Sequence, residues 1–85
     1  MKLLRVSESL IAKHLHPSRV VLRYNKEDSN TPYSTHIEMY KGNDEVSYVW
    51  GHYHQTLLTA NTSFENRMRQ LELKEDTEYL AVAFA

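Results

Sequence analysis

The stretch YSTHIEMYKGNDEVSYVWGHYHQ, residues 33–55, decides the fold. Gly42-Asn43-Asp44 stands at its middle and supplies the residue types that tight turns demand. On either side, apolar or aromatic residues alternate with polar ones, so the stretch reads as a β-hairpin. Whether the turn centres on Gly42-Asn43 or on Asn43-Asp44, the same residues share a face. Tyr33, Thr35, Ile37 and Met39 are expected beside Val46, Tyr48, Trp50, His52 and His54. This is the more apolar set and is expected to pack on the core. Ser34, His36, Glu38 and Tyr40 are expected beside Ser47, Val49, Gly51 and Tyr53 on the opposite face.

Upstream, Val20, Leu22 and Tyr24 alternate with Val21 and Arg23, which predicts a strand over residues 19–25, followed by a polar loop over 26–32. Ser7 ahead of Leu10, Ile11 and Leu15 suits a short capped helix that Pro17 would stop. Residues 2–6 fit either a strand ahead of that helix or the first turns of one longer helix. Downstream, Ala60, Phe64, Met68 and Leu71 recur at helical spacing, predicting a helix over 59–73 with Glu65 four residues before Arg69. Residues 74–78 read as a charged turn. The final run, Tyr79 to Ala85, is apolar on both faces and reads as a buried or partner-paired strand. The expected fold is α+β: a single small domain over residues 1–85, a mostly antiparallel sheet of about four strands, and two helices packed on one face.

Composition narrows the chemistry. With 85 residues the chain buries only about 60–65% of its unfolded surface, leaving little apolar area to line a deep pocket. The chain has no cysteine, which excludes disulfides, thiolate nucleophiles and cysteine-ligated metals. Ten basic and 11 acidic residues give a net charge of -1, so there is no global attraction for nucleic acid or for an acidic membrane. The apolar start at residues 1–6 is much shorter than a signal-peptide core, and a soluble cytoplasmic protein is the expectation.

Catalytic signatures are absent: there is no Gly-x-Ser-x-Gly elbow, and two glycines cannot build a phosphate-cradling loop. His36-x-Glu38 has the residue types of an acid/base pair, but neighbours two apart on a strand stand side by side on the surface as readily as they act together. His52-x-His54 has a spacing that metal sites use, yet two ligands do not make a zinc site. The expected parity sends His36 and Glu38 to the other face, and His14 and His16 suit a helix C-terminus. No cofactor and no metal are expected.

Binding remains. Tyr, Trp, His and Met concentrated in one hairpin are residue types that interface cores enrich. The reading is a non-catalytic protein-interaction module, a small accessory or regulatory protein whose hairpin face or terminal strand pairs with a protein partner or with a second copy. Tyr40, Tyr53, His36, Glu38 and Val49 are the expected partner-binding residues. The alternative is nucleic acid, stacked on the sheet tyrosines with support from Arg23 and Lys41.

Overall fold

The computed structural model describes residues 2–9, 17–42 and 45–79. Among these residues, the strands β1 (Lys2–Val6), β2 (Ser18–Tyr24), β3 (Tyr33–Gly42) and β4 (Glu45–His54) are followed by the helix α1 (Leu57–Gln70). The strands form an antiparallel meander in the order β1-β2-β3-β4, so each pairs with its neighbour in sequence. The α+β class and four-stranded sheet agree with the sequence reading. Residues 2–6 are a strand, which settles the choice left open between strand and helix. The expected first helix falls largely on residues 10–16, outside the described residues. The terminal strand lies mostly on residues 80–85, also outside them; its first residue, Tyr79, is helical together with Thr77 and Glu78.

Helix α1 begins where Thr56, in extended backbone, accepts a hydrogen bond from the Thr59 amide through its side chain. It ends in a turn in which the Leu73 amide donates to the Met68 carbonyl at 2.8 Å, with Glu72 in the left-handed region at φ 56°. Ala60, Phe64 and Met68 face the sheet as their spacing predicts, against Val20, Leu22 and Ile37. Leu71, expected on that apolar stripe, is the helix cap and is exposed, and the i,i+4 partners part company. Glu65 meets Arg5 at 3.4 Å, and Arg69 donates to Asn66. Arg5 also lies over the Phe64 ring, 4.6 Å from its centroid, and binds Glu75 at 2.6 Å. This clamps the β1 side of the sheet to α1 and to the segment beyond it. Among the described residues, no helix is long and apolar enough to cross a membrane.

The expected hairpin forms, but its parity changes partway along. Thr35 pairs with His52 and Tyr33 with His54, as the simple register requires. Nearer the turn, Ile37 pairs with Val49, Glu38 with Tyr48, Met39 with Ser47 and Tyr40 with Val46. Two bulges cause this. Lys41 is extra in β3 beside Gly42 at φ 83°, and Trp50-Gly51 together oppose the single residue His36, with Trp50 at φ 53°. Each bulge inserts one residue and exchanges the faces, so the second restores what the first reversed. Val46 and Tyr48 therefore share a face with Glu38 and Tyr40, away from α1. Val49 packs against the core beneath α1, contrary to its expected place on the opposite face.

Candidate interaction surface

The sheet face opposite α1 carries most of the chemistry the sequence singled out. Register places Arg19, Val21 and Arg23 of β2, Ser34, His36, Glu38 and Tyr40 of β3, and Val46, Tyr48 and Tyr53 of β4 together there. The face has two zones. Towards β1, Val6 and Val21 are fully buried; towards the hairpin, Tyr40, Val46, Tyr48 and Tyr53 are exposed, Tyr53 by 62%.

Between them lies a polar layer. Glu38 is 2% exposed, and its carboxylate accepts from the Arg19 Nε at 2.7 Å. The Tyr40 and Tyr48 hydroxyls are its other hydrogen-bonding neighbours. Burial alone would raise the Glu38 pKa, but these donors and the guanidinium charge hold it below the usual carboxylate value. The same contacts raise both tyrosines: Glu38 is the main cause at Tyr40, whereas burial comes first at Tyr48. Arg23 stacks on the Tyr48 ring, 3.9 Å from its centroid.

His36 sits beside this cluster, edge-on to Tyr48 and Tyr53 at centroid distances of 6.1 and 5.6 Å. Its Nε2 lies 3.4 Å from the Tyr53 hydroxyl, a long contact, and its Nδ1 is buried without a partner. Burial, followed by the charges of Arg23, Arg67 and His52, pushes its pKa down to about 4. The imidazole is therefore neutral at physiological pH. It fits only because residue 51 is glycine: a Cβ there would lie 2.6 Å from the His36 Nε2 and 3.1 Å from the Tyr53 ring.

The five sequence-selected residues thus separate. Tyr40 and Tyr53 are exposed on this face; His36 and Glu38 share the face but are buried beneath the tyrosines, so they can support a contact rather than make it. Val49 is on the other side of the sheet. Val46 and Tyr48, which the sequence assigned to the core, join the exposed set. Only the bulges put them there, and the one available signal was the pair of glycines at residues 42 and 51.

His52 and His54 emerge on the α1 face, at the β4 edge. Among the described residues, no three His, Asp or Glu side chains converge as a metal site would require. His36 and Glu38, the candidate acid/base pair, have separate hydrogen-bond partners: Tyr53 for His36, and Arg19, Tyr40 and Tyr48 for Glu38. No family model, curated protein or solved structure matches this chain.

Proposed function

We propose that this protein is a non-catalytic protein-interaction module that self-associates through the exposed aromatic half of its hairpin. The observation that carries this reading is the grouping of Tyr40, Val46, Tyr48 and Tyr53 on one sheet face, where they are between 37% and 62% exposed. Large side chains in one patch give up their contact with water when a second surface covers them, and tyrosine supplies area with few rotamers to freeze. A second copy is the favoured partner because, among the described residues, β4 is an outer strand of the sheet, and an antiparallel edge is its own complement about a two-fold axis. With a net charge of -1, two copies meet without appreciable repulsion.

The buried layer favours protein over nucleic acid as the partner. Arg19 is paired with Glu38 and Arg23 lies over Tyr48, so the cations of this face already have internal contacts, and a carboxylate sits beneath the tyrosines. Light scattering across a concentration series is expected to show a dimer. Tyr53→Ala and Tyr40→Ala should each weaken it by about 1–2 kcal/mol. A monomer at every concentration, or a dimer indifferent to both changes, would remove the face from the account. Sub-micromolar oligonucleotide binding at physiological salt would replace it with the nucleic-acid reading.

A further inference from the structure

On the α1 side, the β4 edge and the helix enclose two adjoining recesses that share His52, Arg67 and Gln70 as a common wall. One, about 350 Å³, is lined in addition by Thr59, Thr62, Ser63, Asn66 and His54. The other, about 250 Å³, is apolar, with Ile37, Trp50 and Leu71 as its remaining walls. Among the described residues, no acidic side chain lines either recess.

Arg67 is the unusual group. The residue is 9% exposed, and among the described residues no Asp or Glu forms an ion pair with it. Its Nη2 donates to the Trp50 carbonyl at the bulge, while its Nη1 is buried without a hydrogen-bond partner. Burial lowers its pKa. The His54 Nε2 is likewise buried and unpartnered. A buried cation without a counter-ion is costly to keep, and an anion arriving from solvent would relieve the cost.

Trp50 points to the rest of the ligand. It holds a left-handed backbone that a bulky L-residue rarely adopts, and the residue is 76% exposed beside the apolar recess. A strained backbone that presents a large ring to solvent is a usual mark of a functional position. Trp50 and Gln70 are both exposed, so their side chains can turn to admit a ligand without disturbing the core.

We infer that this groove binds a small monocarboxylate with an apolar body, its carboxylate against Arg67 and its body over Trp50, Ile37 and Leu71. A monoanion is the better match than a phosphate dianion because Arg67 supplies one fixed charge. His54 adds none at neutral pH, since burial and the neighbouring His52 and Arg67 lower its pKa.

Benzoate tests the assignment, with benzamide, inorganic phosphate and phenyl phosphate as comparators. The readouts are the fluorescence of Trp50, the chain's single tryptophan, and the NMR signals of the histidine rings. Benzoate is expected to bind with a Kd of about 1 mM or tighter. Arg67→Met is expected to abolish binding. Gln70→Glu, a change at an exposed helix position that leaves the fold in place, should weaken it by about tenfold or more through charge repulsion. Equal binding of benzamide, tighter binding of either phosphate, undiminished binding by Gln70→Glu, or no benzoate binding at several millimolar would each overturn the proposal. Tyr53→Ala should leave benzoate binding unchanged, so a failure here is distinct from a failure of the self-association reading.

Discussion

The two faces of this sheet are stabilised by different physics. Beneath α1, Val20, Leu22, Ala60 and Phe64 are fully buried, and what they contribute is apolar area, which has no direction and no charge to titrate. On the opposite face, the buried groups include His36, Glu38 and the partly covered Arg19, each dependent on particular neighbours. One face should therefore respond to lost volume and the other to lost protons and lost fit.

The largest expected effect is on the helix face. Phe64→Ala removes the largest fully buried side chain among the described residues and the platform for Arg5, and should lower unfolding free energy by about 3–5 kcal/mol in denaturant titrations. The loss should be nearly the same at pH 7 and pH 5. A strong pH dependence in this difference would show that the two faces are coupled rather than separate.

Acidification probes the other face. Between pH 6.5, the ordinary histidine value, and the folded-state value of about 4, the unfolded chain binds a proton at His36 that the folded protein refuses. Stability is thus complete above pH 6.5 and falls as pH drops, by roughly 3 kcal/mol at pH 4 if His36 acts alone. Glu38 follows at lower pH: its depressed folded pKa contributes stability above its ordinary value of 4.5, which is lost as pH falls through the folded value. Chemical denaturation at half-unit pH steps would record both. His36→Gln should flatten the curve between pH 6.5 and 4; an unchanged slope would assign that proton to another group.

Gly51→Ala sharpens the comparison on fit. The added methyl meets His36 and Tyr53 at once, and a loss of about 1–3 kcal/mol is expected. In a double-mutant cycle His36→Ala should recover part of it by vacating the space. Additive losses would mean that the strain arises in the bulge backbone instead.

The smallest effect concerns Trp50. Because its side chain is exposed while its backbone is left-handed, Trp50→Gly should leave stability unchanged or raise it by up to about 1 kcal/mol, measured by thermal unfolding, while benzoate binding is lost. A destabilised variant would mean that the indole ring packs more than its exposure indicates.

Local pattern was enough to find the elements. The 3.6-residue spacing of Ala60, Phe64 and Met68 located the helix and its buried side, and alternation about Gly42-Asn43-Asp44 located the hairpin. Tyr53 and Tyr40 were legible as exposed positions because an even count from residue 34 reaches Tyr40 within one strand, and Tyr53 pairs beyond both bulges, where the simple register holds again. Val46, Tyr48 and Val49 were misassigned because they lie between the two insertions, and alternation carries the same period on either side of a bulge without marking where the phase changes.

What the sequence by itself determined is therefore the α+β class, the hairpin, the apolar stripe of the long helix and the absence of cysteine chemistry. Each follows from residue type at short range. Only the tertiary structure decided which way the turn-side half of the hairpin faces, since that depends on which set of side chains α1 covers once both bulges are in place. It alone buried Arg67: a residue on the flank of the helix stripe loses its water because the β4 edge and the Trp50 carbonyl come to lie against it. A contact between residues 17 apart in the chain has no signature in local spacing, because it is the approach of two separate elements that creates it.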